Sequence, residues 1–97
     1  MHIITKRTIA EAKTNYPQCA SALDGWYRVV KNNTFSCFSD LKASFNAVDK
    51  VKDLYVFDIG GNKLRLIASI HFNRQKLYIR HILTHKEYDK GDWSNKT

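Results

Sequence analysis

Residues 54–89 read LYVFDIGGNKLRLIASIHFNRQKLYIRHILTHKEYD, and the fold turns on them. Three runs rich in β-branched and aromatic residues lie here: Leu54–Ile59, Lys63–Phe72 and Leu77–Thr84. Gly60-Gly61-Asn62 parts the first pair, and Asn73-Arg74-Gln75 parts the second. Such runs, separated by short turn-prone gaps, predict an antiparallel meander. In the second run Leu64, Leu66, Ala68, Ile70 and Phe72 alternate with Lys63, Arg65, Ile67, Ser69 and His71. One face of the sheet is therefore apolar and the other mixed and cationic. In the third run Leu77, Ile79, His81 and Leu83 alternate with Tyr78, Arg80, Ile82 and Thr84. That alternation places Arg80 on the same open face as Arg65, an assignment that a one-residue slip would reverse.

The apolar face needs a cover, and the chain before it supplies one. His2-Ile3-Ile4 suits a short edge strand. Thr5 or Thr8 can cap a first helix with Ile9, Ala12 and Tyr16 on its apolar side, and Thr8 with Glu11 has capping-box spacing. Pro17 ends that helix and fits the first turn of a second. There Cys19, Ala22, Leu23, Trp26, Val29 and Val30 recur at helical spacing, the clearest such pattern in the chain. Trp26 on this stripe reads as a core anchor. Asn32-Asn33 stops the helix, and Ser39 can cap a short third one with Leu41 and Phe45 inward. Residues 46–53 read as a solvated connection. The tail after Asp89 is polar apart from Trp93 and frays unless that indole docks on the body.

The chain has 97 residues and a formal net charge of +7. That length suits one domain with a modest core that needs no disulfide or metal staple. The charge is spread over both halves, so the positive field belongs to the folded body. Between Ile59 and Lys86 no acidic residue occurs, while Lys63, Arg65, Arg74, Lys76, Arg80 and Lys86 do, with His71, His81 and His85. A sheet with such polar positions points to an anionic partner, nucleic acid first and an acidic protein second. Cys19 and Cys37 lie among apolar neighbours without a C-x-x-C pair and read as small reduced hydrophobes. The N-terminus lacks the apolar core of a signal peptide, and no run reaches the ~18 apolar residues of a membrane span. A cytoplasmic protein is expected.

Neither GxxxxGK[ST] nor GxGxxG is present, and neither a suitable carboxylate pair nor a nucleophile elbow appears. Cations, imidazoles and phenols remain. Such a set suits phosphodiester cleavage in RNA without a metal or cofactor. The 2′-hydroxyl attacks the adjacent phosphorus, so a base must take its proton and an acid must protonate the leaving 5′-oxygen. Fixed cations must stabilise the charge that builds on phosphate oxygens, and arginine's planar fork matches two of them. Arg65, Arg80, Lys63, His85, Lys86 and Tyr88 are the candidates, while His71 and His81 read as structural. These residues alone define an anion-binding face, which a non-enzymatic RNA- or ribosome-binding module would share.

The stretches YVFDIGGNKLRLIASI (55–70) and YIRHILTHKEYDK (78–90) together resemble the HigB-type toxins of bacterial toxin–antitoxin modules, within the RelE-like superfamily. Pro17, Trp26 and residues 38–42 also fit, so the resemblance covers nearly the whole chain. It implies an α+β fold, a single RelE-like domain over residues 1–97, with N-terminal helices packed on one face of a small antiparallel sheet and a short C-terminal helix. It implies a metal-independent mRNA endonuclease acting in the ribosomal 30S A site, and a HigA-type helix-turn-helix antitoxin as partner. Carried over by position, the matching residues are Asn62, Lys63 and Arg65, then Arg80, then Thr84, His85, Glu87, Tyr88 and Asp89. The chain departs from the common pattern at Asp58, where Asn is usual, and at Lys86, where Ala is usual. Asp58 is expected to pair with Lys63 or a neighbouring cation. In this reading Arg65 and Arg80 hold the scissile phosphate, His85 or Tyr88 handles protons, and Lys63 and Lys86 support them. Asn62, Arg74 and Lys76 add RNA contacts.

Overall fold

The computed structural model describes residues 1–4, 6–61, 63–91 and 93. In chain order the elements are β1 (His2–Ile4), α1 (Lys6–Asn15), α2 (Ala20–Lys31), α3 (Phe38–Ser44), β2 (Asp49–Val51), β3 (Leu54–Ile59), β4 (Leu64–His71), β5 (Lys76–Thr84) and α4 (His85–Asp89). Short 3₁₀ turns at Pro17–Cys19 and Phe72–Arg74 lead into α2 and β5. The sheet order is β1-β5-β4-β3-β2. The meander β3-β4-β5 is antiparallel as expected, and β2 extends it antiparallel to β3. β1 joins β5 in parallel, so the sheet is mixed. β1 and β5 are separated by all the elements from α1 to β4, and such a long return permits parallel pairing that a tight hairpin cannot.

One face of the sheet carries the main core. Tyr55, Phe57 and Ile59 of β3 stand beside Leu64, Leu66 and Ala68 of β4, and Leu77 and Ile79 of β5 continue the layer. Ile9 and Ala12 of α1 and Leu23, Trp26 and Val30 of α2 close over it. Trp26 meets Phe57 edge to face at 5.3 Å, and Phe45 meets the same ring at 5.2 Å. Such contacts suit the ring quadrupoles and stabilise the layer beyond area burial. The stripe on α2 is narrower than its spacing suggested: Val29 lies beyond the flank and is exposed.

Four local expectations are corrected. Thr8 lies inside α1, one turn past the N-cap position, and Thr5 is outside the described residues. The cap of α3 is Cys37, which is exposed and offers no side-chain bond, while Ser39 lies within the helix. Asp40 reaches back past it to accept from the Ser36 amide at 2.9 Å. The segment read as a plain connection contains β2.

The fourth correction is in β5. Its register with β4 shifts between Ile67 and Ala68: Ile67 faces His81, whereas Ala68 faces Ile79. Arg80 is the extra residue of this bulge. A bulge reverses the alternation beyond it. Leu77 and Ile79 share the helix-covered face with Ala68 and Ile70, but His81 and Leu83 stand on the open face beside Ile67 and Arg65.

That open face is only partly open. Leu54, Val56, Ile67 and Trp93 form a second buried cluster there, with Val51, Leu83 and Tyr88 against it. Trp93 therefore docks. Its ring stacks on Tyr88 at 5.2 Å with planes 17° apart, and its Nε1 donates to the Tyr88 carbonyl at 3.1 Å.

Candidate active site

The turn between β3 and β4 sets the site. Gly60 and Gly61 both take positive φ, +66° and +62°, a conformation that side chains disfavour. A Cβ on Gly60 would also stand 3.4 Å from the buried Cys19 Sγ. The hairpin closed by this turn places Asp58 directly opposite Arg65, both on the open face. The Arg65 Nη1 donates to Asp58 Oδ1 at 2.6 Å. The side chains retain only 16% and 23% of their exposure, so water screens this pair less than a surface ion pair. Above it lies Tyr88, with its ring centroid 5.5 Å from the guanidinium carbon. A guanidinium over a phenol ring gains from the ring's negative face.

Tyr88 reaches this position because α4 is fixed at both ends. Thr84 is its N-cap: the Thr84 Oγ1 accepts from the Glu87 amide at 3.2 Å, and the Glu87 carboxylate accepts from the Thr84 amide at 2.9 Å. This reciprocal box satisfies donors that a helix start leaves orphaned. At the other end Trp93 clamps Tyr88 from the side.

Ala47, Asp49, Val56, Asp58, Arg65 and Tyr88 line a cleft of about 360 Å³. Of the residues expected to act, the structure brings Arg65 and Tyr88 together in it. His85 begins α4 close by, but its exposed ring turns to Asp89, with Nδ1 2.9 Å from Oδ2. Lys63 precedes β4 and Lys86 follows His85, both exposed. Arg80 is exposed at the bulge, beside mid-strand Ile67 and Ala68 rather than beside Arg65. Lys76 pairs in register with His71, and Arg74 lies in the turn before it. Arg65 and His71 stand six positions apart on β4, roughly 20 Å at the rise of a strand. Arg74 and Lys76 thus sit at the far end of the sheet. Asn62 lies outside the described residues.

The sequence pattern conceals one acidic group of the cleft, Asp49, and only half places another, Asp58. Asp49 was read as part of a loop, yet β2 sets it opposite Val56 on the open face. Asp58 was expected to find a neighbouring cation, and that cation is Arg65. The signal was present: a hairpin centred between Gly61 and Asn62 pairs position 58 with position 65. Among the described residues no group of three or more His, Cys, Asp or Glu is placed to hold a metal ion, and no helix is long and apolar enough to cross a membrane.

A helix-covered mixed sheet, with an arginine held in an acidic and aromatic cleft on its other face, defines a small α+β protein. The chain matches the HigB toxin family, described as the RelE-like toxic component of a toxin–antitoxin system, over residues 19–91, and it belongs to that family. It is 42% identical over 93 residues to the mRNA interferase HigB of Escherichia coli O6:H1, covering 93% of this chain and 90% of that one. It is 41% identical over 92 residues to the mRNA interferase toxin HigB of Escherichia coli strain K12, covering 92% and 88%. The mRNA interferase HigB of Shigella flexneri gives the same identity and coverage.

Proposed function

We propose that this toxin is a metal-independent endoribonuclease that cuts messenger RNA in the ribosomal 30S A site, and that a HigA-type helix-turn-helix antitoxin neutralises it. The observation that carries the reading is Arg65, held by Asp58 and Tyr88 at the floor of a cleft large enough for a nucleotide's phosphate. Transferred with the family membership, the relatives' naming as mRNA interferases supplies the substrate.

Arg65 receives the scissile phosphate and opposes the charge that grows on its oxygens. Tyr88 or His85 supplies the proton that the leaving 5′-oxygen requires. Lys63 and Lys86 border this end of the sheet and attract the strand, and Asn62 adds an RNA contact. Arg80 acts along the strand's path, and Arg74 and Lys76 extend that path to the far end of the sheet. The unit is one domain spanning residues 1–97, working in the cytoplasm.

The test is cleavage of a defined message on purified ribosomes, with wild type, Arg65→Ala and His85→Ala compared. Wild type is expected to cut and both variants to fold and leave message intact. If wild type halts translation and leaves message whole, the protein is a ribosome-binding module and the nuclease reading fails.

A further inference from the structure

At the far end of β4 from Arg65, roughly 20 Å away at the rise of a strand, the open face carries two aromatic rings that the proposed chemistry does not use. We infer that Tyr78 and His71 form a stacking subsite for one base of the message, several nucleotides from the cut, with Lys76 and Arg74 taking the adjoining phosphates. This rests on the RNA-binding part of the reading above and gives that RNA a second grip.

The register assembles the group. On β4 and β5, Ser69 faces Tyr78 and His71 faces Lys76. Tyr78 and Lys76 precede the bulge, so they share the open face with His71. β1 sets His2 beside Lys76 and Ile4 beside Tyr78, while Ile3 between them is buried under the helices. The Tyr78 and His71 rings meet edge to face, with centroids 5.5 Å apart and planes at 88°. His71 is exposed and Tyr78 half-buried. Two rings at a right angle make a corner: one offers its face to a base and the other bounds the base's edge. Stacking of this kind tolerates any sequence, because every base has a π-face. Sheet faces bearing aromatic side chains hold single-stranded RNA in this way in other folds.

Charge favours the same occupant. Residues 1–10 and 60–86 contain no Asp or Glu, and they include all of β1, β4, β5 and the turn between the last two. Among the described residues neither Arg74 nor Lys76 is in an ion pair, whereas Arg65 in the cleft is. A phosphate arriving here meets positive charge that no carboxylate offsets. An acidic peptide would meet the same cations, but aromatic rings among cations, on a face continuous with the cleft, match a single strand with its alternating bases and phosphates. The cations are also held in place. Gln75 takes a positive φ of 53°. Its Nε2 donates to the carbonyls of Phe35 at 2.5 Å and Phe72 at 2.8 Å, and its Oε1 accepts from the Phe35 amide at 3.3 Å. These bonds pin the turn that presents Arg74 and Lys76 to the loop after α2. A pinned turn loses little entropy when a ligand arrives.

The test measures affinity for a short single-stranded RNA, made non-cleavable by 2′-deoxyribose at the cleavage position. Wild type, Tyr78→Leu, Tyr78→Phe and His71→Ala are compared by fluorescence anisotropy, with melting temperatures alongside. Tyr78→Leu keeps apolar bulk against Ile4 but loses the ring, and should weaken binding about 5–150-fold, the loss of one stacked base. Its salt slope should equal that of wild type, because the ring neutralises no phosphate. Tyr78→Phe keeps the ring and should bind within about twofold of wild type. His71→Ala, an exposed change, should weaken binding severalfold, and it decides the matter if Tyr78→Leu does not fold. The bases of the RNA are then removed one position at a time. One abasic site, several nucleotides from the deoxyribose, should weaken wild type as much as Tyr78→Leu does. Combining that site with Tyr78→Leu should cost nothing further, since both changes remove the same contact. Losses that simply add, an effect only at the base next to the cut, or a wild type that binds no RNA would each overturn the inference. So would variants that keep RNA affinity and lose the antitoxin, which would assign this face to a protein partner. A wild type that passes these tests and leaves message whole on ribosomes sinks the nuclease reading alone.

Discussion

Replacing Arg65 by Ala removes a cation whose ground-state partner is already present. The expected rate loss is about 10²–10³, typical of one well-placed electrostatic stabiliser. The fold also responds, because the partly buried Asp58 loses its ion pair with Arg65. Removing the charged partner of a partly buried hydrogen bond costs roughly 1–3 kcal/mol, so a calorimetric melt should move as well as the rate. From sequence alone Arg65 reads as a cation on the open face and Asp58 as the partner of Lys63 or a neighbouring cation; the register selects Arg65. Trp26 is simpler and was readable from helical spacing. It is 4% exposed, and its Nε1 finds no acceptor among the described residues. Trp26→Ala should cost about 3–5 kcal/mol. Trp26→Phe should cost distinctly less, because it keeps most of the ring and removes an orphaned N–H, itself a penalty of about 1–3 kcal/mol. Equal melting temperatures for the two variants would contradict this account.

α4 shows what an element of five residues needs in order to exist. A helix this short is far below the length that is stable alone in water. It persists because Thr84 and Glu87 cap one end, Trp93 clamps Tyr88, and β5 runs directly into it. Thr84→Ala breaks the box and should cost about 0.5–2 kcal/mol. Since α4 carries Tyr88 over Arg65, cleavage should weaken along with stability, whereas an exposed change on α1 should do neither. Spacing alone does not find such a cap: Thr84 with Glu87 forms the box, whereas Thr8 with Glu11, at the same spacing, lies inside α1. β5 was legible as a strand but not in its facing. Its bulge is set by the twist and by what each face must bury, and Leu77, Ile79, Ile82 and Leu83 are apolar enough for either side. β2 was hidden for a related reason: its three residues are mostly polar and become a strand only because β3 offers an edge. The meander itself, by contrast, is written in local turn chemistry at Gly60-Gly61 and in strand composition.

Across the whole molecule, the cations divide by position rather than by type. Arg65 lies at the α4 end of the sheet, whereas Arg74 and Lys76 lie at the β1 end, beside the 3₁₀ turn. Charge attracts an RNA strand over distances of about a Debye length, roughly 8–10 Å at physiological salt, but transition-state stabilisation requires contact. The two ends should therefore fail differently. Wild-type affinity for single-stranded RNA should fall with salt at a log–log slope of about −0.7 for each phosphate neutralised. The double variant Arg74→Ala, Lys76→Ala should flatten that slope by about 1.4 if both side chains meet phosphates, and it should raise the RNA concentration needed for half-maximal cutting. Its single-turnover rate at saturating RNA should match wild type, because nothing in the cleft has changed. Arg65→Ala should show the reverse balance, with a large loss of rate and a slope changed by at most one phosphate. Were the far-end double variant to lose rate at saturation, the strand would have to be bent or aligned by those cations during the reaction, and the division of labour along the sheet would be wrong.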